Sequence, residues 1–452
     1  MDELDSREVP ARDHDLRDER LYEMSPGVEY FALVDAVASD AVMLDVIDSR
    51  DSRLVNSAAA RQTSGWFRER WRTAFEAPEV ATEVLAALES FEGGLAIVPL
   101  AEGTGDWEDW HRQGTWLRVT STGEAAGRID AAAVEPDEGR RLHRIFGMTL
   151  WPSAEARVVS DAFSDVRALA QTIALDIGQG SANMLVDQQG QARLYFDVGA
   201  ADGRNARTRP ANLPFCVCNA PPVILSHWDT DHWAGAKHET GLLSLTWIAP
   251  RQMIGPTHAT HGARILQAGG RLLIVKRSSH PRVRVQLASQ DIDLAYCSGA
   301  FHANRKSNRN DNGLALSIRR QADDLCWIYP GDADYSVMPS FGGSPVVLIA
   351  SHHGAKQKLR GTPPQRGRRP YARLLYSFGP NNSYGHPHPG TTASHHNQGW
   401  LHAGTGAQGP DVLATSRSAG SSSTRGPVAA GWTARPAAQP HLQRAHGIIP
   451  TT

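Results

Sequence analysis

Two hydrophobic periods alternate along the first part of the chain. EYFALVDAV (29–37), AVMLDVI (41–47), GLAIVPL (94–100) and TWLRVTS (115–121) are short, mostly apolar runs that predict strands. WFRERWRTAFEA (66–77), APEVATEVLAALESF (77–91) and EGRRLHRIFGMTLW (138–151) repeat apolar residues at three- and four-residue spacing, which predicts helices. From residue 171 the pattern changes to strands joined by tight turns. TIALDIGQGSANMLVD (172–187) and RLYFDVGA (193–200) read as a hairpin-like pair, with Gly178 and Gly180 permitting a sharp turn. Further strands are expected at TWIAP (246–250), LLIVKR (272–277), RVQLAS (284–289), LALSIRR (314–320), LCWIY (325–329), VVLIA (346–350) and ARLLYSFG (372–379). A helix is expected over 255–270, with His258 and His261 on its exposed side. These patterns divide the chain into an acidic mobile arm (1–25), an N-terminal α/β domain of unknown function (26–170), a second α/β domain (171–402) and a Gly/Ala/Ser/Thr/Pro-rich tail (403–452). The tail is expected to be disordered.

Candidate chemistry concentrates where apolar runs end. In PVILSHWDTDHWAGA (222–236), His227, Asp229, Asp231 and His232 follow directly on the apolar Val223, Ile224 and Leu225. In an extended loop alternate residues share a side, so His227, Asp229 and Asp231 can converge while His232 points to a second centre. Imidazole together with carboxylate suits Zn²⁺, Mn²⁺ or Fe²⁺, and such a density of polar groups behind a buried strand is costly without an ion. YPGDA (329–333) delivers Asp332 in the same way, and VVLIA runs into SHHG (351–354) with His352 and His353. Either of those two can complete a metal site, the other meeting substrate or supporting the site from behind.

The spacing H-x-D-x-D-H followed by W-A-G resembles the metal-binding signature of the metallo-β-lactamase superfamily, in the variant of ComEC/Rec2-type hydrolase domains. LDIGQGSA (175–182), YPGDA, SHHG and SFGPNNSYGHPHP (377–389) match that subfamily in order, over residues 172–400. The resemblance implies an αββα four-layer sandwich and two divalent metal ions, Zn or Mn, held by His227, Asp229, Asp231, His232, Asp332 and His352 or His353. It further implies that Asp332 bridges the ions, that Asp197 supports the metal loop from behind, and that the ions activate a hydroxide. Asp231, Asp332 and His386 are the expected catalytic residues, and Asn381 and Asn382 are expected to face substrate. Two departures stand out. Ser181 replaces a usual Asp, and the place of a third His for one ion falls to His302 or Asn312, so one ion is expected to be short of protein ligands.

A basic stretch lies between SHHG and the next strand: Lys356, Lys358, Arg360, Arg366, Arg368, Arg369 and Arg373, with no acidic residue among them. It reads either as a solvated loop or as a loop that tracks phosphates, and Arg fits phosphate in a bidentate manner. With the resemblance it points to a phosphodiesterase or nuclease acting on nucleic acid or another phosphodiester. The alternatives are hydrolysis of a small ester, thioester or lactam, and a catalytically silent protein that binds a partner through its N-terminal domain, where Trp66, Trp71, Trp107, Trp110 and Trp116 read as core or partner surface. A net charge of −2 supplies no global field toward nucleic acid. No apolar stretch is long enough to span a membrane and the N-terminus lacks an apolar leader, so a cytoplasmic protein with no membrane association is expected. Cys216, Cys218, Cys297 and Cys326 are too few and too irregular for a disulfide framework, in keeping with a reducing compartment.

Overall fold

A computed structural model of the chain describes residues 21–37, 41–55, 57–100, 106–122, 129–277, 282–298, 309–357, 361–401, 411–416 and 425–434. Strands β1 (Glu29–Val37), β2 (Ala41–Asp48), β3 (Gly93–Pro99), β4 (Leu117–Ser121) and β5 (Ile129–Ala133) form an antiparallel sheet in the order β3-β2-β1-β4-β5. Helices Ser57–Ala74, Pro78–Glu89 and Pro136–Phe146 bury their apolar stripes beneath it, where the predicted periodicity placed them.

Two larger sheets follow. The first comprises β6 (Leu169–Ala174), β7 (Ala182–Asp187), β8 (Ala192–Val198), β9 (Val223–Ile224), β10 (Thr246–Pro250) and β11 (Arg271–Val275). The second comprises β12 (Arg282–Gln286), β13 (Gln290–Tyr296), β14 (Leu314–Arg320), β15 (Leu325–Tyr329), β16 (Ser344–Ile349), β17 (Arg373–Tyr376) and β18 (Val412–Ala414), in that order. A last strand, β19 (Val428–Gly431), returns to the first of these sheets and pairs antiparallel with β6. The sheets face each other across a shared apolar layer that includes Phe196, Ile224 and Ile248 on one side and Ile318, Trp327 and Ile349 on the other. Helix Pro256–Gln267 covers the outer face of the first sheet together with the N-terminal helices, and helix Pro389–Asn397 packs outside the second, where His395 accepts or donates between the hydroxyls of Tyr335 and Tyr376. This is the four-layer αββα sandwich expected from the resemblance.

The strand directions explain where the chemistry sits. Strands β8 to β11 are parallel, as are β15 to β18. Parallel neighbours end on the same edge, so loops after β8, β9, β15, β16 and β17 gather at one side of the sandwich, the usual place for a site in an open α/β sheet.

Two expectations are corrected. Strands β18 and β19 lie in the stretch read as a tail; three or four small apolar residues suffice when the edge of a formed sheet supplies their hydrogen bonds, a signal too short for periodicity to carry. His258 and His261 are buried, not exposed. The N-terminal sheet and the metal-loop Trp233 cover that side of the helix, with His261 stacked on the Trp233 ring at 4.0 Å. Of Trp66, Trp71, Trp107, Trp110 and Trp116, the second, third and fifth are buried in the N-terminal core and pack on aromatic neighbours, as in the Trp116–Phe146 pair.

Candidate metal centre

The loop after β9 turns through Ser226 into His227, Asp229, Asp231 and His232. Its backbone is held by close approach: the Asp231 carbonyl accepts from Ser181 N–H, and a Cβ on Gly199 would lie 1.8 Å from that oxygen. Gly180 serves the same approach, with a Cβ contact of 2.5 Å. The glycines are therefore needed for packing against the metal loop as well as for turning.

Asp197, at the end of β8, lies fully buried beneath the loop with a left-handed φ of 61°. Its carboxylate accepts from Ser226 N–H (2.7 Å), Ser226 Oγ–H (2.9 Å) and His232 Nδ1 (2.8 Å). Three hydrogen bonds hold this strained residue and set the His232 tautomer, leaving Nε2 with its lone pair directed outward. The same logic applies to His353, whose Nδ1 donates to the Ser377 carbonyl at 3.0 Å.

Asp332, after β15, stands among the imidazoles. His232 Nε2 is 3.2 Å from its Oδ1, while the Nε2 atoms of His352, His353 and His227 lie 3.4, 3.7 and 3.9 Å from its Oδ2. Asp231 Oδ2 is 3.3 Å from His353 Nε2. Two donor sets converge, His227 with His232 and Asp332, and Asp231 with His232 and His353. The Nε2 atoms of His227, His232 and His353 are buried with no hydrogen-bond partner among the described residues. Three buried imidazole nitrogens without a hydrogen-bond partner, set beside carboxylates, suit a divalent ion, so these residues fit a metal.

The turn after β16 presents both of its histidines. His352 and His353 have positive φ (49° and 55°), which directs both rings toward Asp332. They differ in burial: His353 is enclosed, whereas the His352 side chain is 38% exposed with Nδ1 near Asn310. His386 completes the wall, stacked on Tyr384 and 5.5 Å from the His352 ring.

Electrostatics follows from this crowding. Burial raises the Asp332 carboxyl, but the imidazoles of His232, His352 and His353 outweigh it and hold the group well below the usual carboxylate range. Burial lowers His232 and His353, yet Asp332 with Asp197 and Asp231 carries His232 well above its ordinary value, and Asp332 with Asp231 raises His353. Metal-free His232 and His353 therefore keep protons at higher pH than free histidine, and an ion must displace them. We expect metal uptake near pH 7 to release protons and the apparent affinity to fall as pH is lowered. Titration calorimetry in buffers of different ionisation enthalpy measures both effects, and a buffer-independent enthalpy would contradict this assignment.

The remaining expected site residues are placed differently. Asn382 organises its own loop, donating to the Gly379 and His386 carbonyls and accepting from Tyr384 and His386 N–H, while the Asn381 carbonyl accepts from Arg207. Arg366 is engaged by Asp411 and the carbonyls of Gly367, Arg369 and Pro370. Arg368, Arg369 and Lys356 are exposed. Lys358, Arg360 and His302 lie outside the described residues.

Several further residues at the site were not singled out from the sequence, although Ser226 and Gln179 lie inside the motifs 222–236 and 175–182. Ser226 bridges Asp197 to the loop imidazoles. Gln179 donates to His386 Nδ1 at 3.2 Å. Arg309 places Nε 2.9 Å from Asp229 Oδ1, and Asp35 of the N-terminal sheet binds Arg309 in turn. Only the fold brings these last two near the metal loop.

No helix among the described residues is long and apolar enough to cross a membrane. No family model matches the chain, and no curated protein is similar to it. Among solved structures, part of the chain is similar to the Zn²⁺-bound PqqB from Methylobacterium extorquens, at 11% identity and a TM-score of 0.24, covering 39% of this chain and 71% of that one.

Proposed function

We propose that this protein is a metal-dependent hydrolase whose substrate is a phosphodiester, with nucleic acid as the first class to test. The observation that carries the hydrolase reading is the convergence of three unpartnered, buried imidazole Nε2 atoms on Asp231 and Asp332. His227, Asp231, His232, Asp332 and His353 would hold the metal. Bound there, it supplies an acidified water and positive charge for the oxygen on which negative charge develops.

The chain's own contribution is placement and proton handling. Gln179 donates to Nδ1 of His386, which leaves the proton of the neutral ring on Nε2. Burial and the imidazoles of His352 and His353 hold His386 well below its ordinary value, so it stays neutral and can donate that proton to a phosphoryl or leaving-group oxygen. The exposed Lys356, close behind His353, supports a polyanionic substrate, whereas Arg366 serves its own loop. That loop, with Arg368 and Arg369, lies beside Ser344 and Pro345 at the start of β16 and beside Asp323 before β15, at the edge of the sheet opposite the metal loop.

The test is a substrate panel on protein reloaded with Mn²⁺ or Zn²⁺: a small chromogenic phosphodiester, single-stranded DNA, RNA, a thioester and a lactam, with Asp231→Ala as control. Metal-dependent cleavage of the diester and of a nucleic acid, lost in the control, is expected. Cleavage confined to the thioester or lactam would overturn the phosphodiester reading, and a metal-loaded protein inert on all five would overturn the hydrolase.

A further inference from the structure

The residues around Asp229 form a chain of buried charges that the metal centre does not require. Asp35 sits at a bulge in β1, where the pairing with β2 shifts between Val34 and Ala36. An extra residue there turns the carboxylate off the sheet and toward the metal loop. Its Oδ1 lies 2.7 Å from His258 Nε2 and accepts from Arg309 Nη2 at 2.8 Å, and its Oδ2 accepts from Thr230 Oγ1 at 3.2 Å. Arg309 also donates to the Asp35 carbonyl (2.9 Å), and its own carbonyl accepts from Gln252, whose Oε1 accepts from Trp228 N–H. The guanidinium is thereby fixed from both domains, with Nε against Asp229 Oδ1 at 2.9 Å. The other Asp229 oxygen, Oδ2, is 3.2 Å from His227 Nε2.

We propose that the Arg309 guanidinium takes the place of one of the two cations expected from the sequence, so that the centre binds a single divalent ion. This rests on the metal-dependent reading above. Two observations support it independently. Both converging donor sets draw on His232, whose one outward nitrogen serves one ion, so the two sets cannot both be filled through it. A second ion held through Asp229 would also lie beside a buried, permanently charged guanidinium that cannot move away without giving up its ion pair with Asp35. One divalent ion and Arg309 together offset three of the four negative charges of Asp35, Asp229, Asp231 and Asp332, and Asp35 also accepts from Thr230 and contacts His258. Asp229 becomes a positioning residue that anchors Arg309, and the N-terminal sheet becomes part of the metal centre's construction.

The experiment counts ions by elemental analysis and calorimetry after saturation with Mn²⁺ or Zn²⁺ and removal of free metal. Wild-type protein should hold one equivalent, Asp229→Asn should still hold one, and Asp231→Asn should hold close to none. Arg309→Met, which removes the charge and keeps much of the bulk, should admit a second ion with at least tenfold weaker affinity. Two equivalents in the wild type, loss of the ion in Asp229→Asn, or unchanged single-ion binding in a folded Arg309→Met would each overturn the assignment. Wild-type protein that binds no divalent ion would overturn the metal-dependent reading itself, a result distinguishable from the other three.

Discussion

Replacing Asp332 by Ala is expected to strip the centre of its ion under conditions where the wild type retains it, and to lower metal-dependent hydrolysis by about a thousandfold or more. The magnitude follows from several kcal/mol of charge stabilisation supplied by a bound cation, at about 1.4 kcal/mol per factor of ten in rate. The position explains why this residue dominates. Among the described residues it is the carboxylate that the Nε2 atoms of His227, His232, His352 and His353 share, so its removal takes an anion from all four and leaves His227 to Asp229, His232 to Asp197 and His353 to Asp231. Because Asp332 lies on a loop beyond the end of β15 and not within the inter-sheet layer, the variant should remain folded. Elemental analysis of the purified variant, with turnover of the small diester, checks both parts. Turnover equal to that of the wild type would remove Asp332 from the proposed site.

The second large effect concerns stability. Trp151 joins three parts of the molecule: its ring lies 4.8 Å from Trp71 and 5.8 Å from Phe75 of the N-terminal helical layer, and 5.9 Å from Trp228 in the metal loop. It also lies directly over Gly262 of helix Pro256–Gln267, where a Cβ would meet the indole at 2.4 Å. Trp151→Ala removes this buried contact and leaves a cavity, which costs about 3–5 kcal/mol at comparable sites. The N-terminal helices and the outer face of the first sandwich sheet share one continuous core, so denaturant unfolding should lower the midpoint of a single transition. Separate transitions for the two halves, with only one displaced, would show that the shared core does not couple them.

The reach of the sequence differs from element to element. Buried strands such as LCWIY and VVLIA were legible because continuous apolar runs of that length, ended by polar residues, have few other stable placements. The loop after β9 could be singled out as a candidate site because four potential ligands in six residues behind a strand are costly without an ion. Local pattern also located both His352 and His353, since a strand end determines where a turn lies but not which ring it encloses. Tertiary structure decided that point: the Ser377 carbonyl, delivered by β17, fixes His353 inside while His352 remains partly open. It decided the burial of His258 and His261, because the faces that cover that helix come from the N-terminal sheet and the metal loop. It decided that β18 and β19 form, since a weak strand gains its hydrogen bonds only from an edge already in place. Above all it decided the Asp35–Arg309–Asp229 chain, whose first two members are 274 residues apart. Charge pairs at such separation leave no periodic trace, and these groups are buried together only once packing of the two domains has excluded the water that would otherwise solvate each alone.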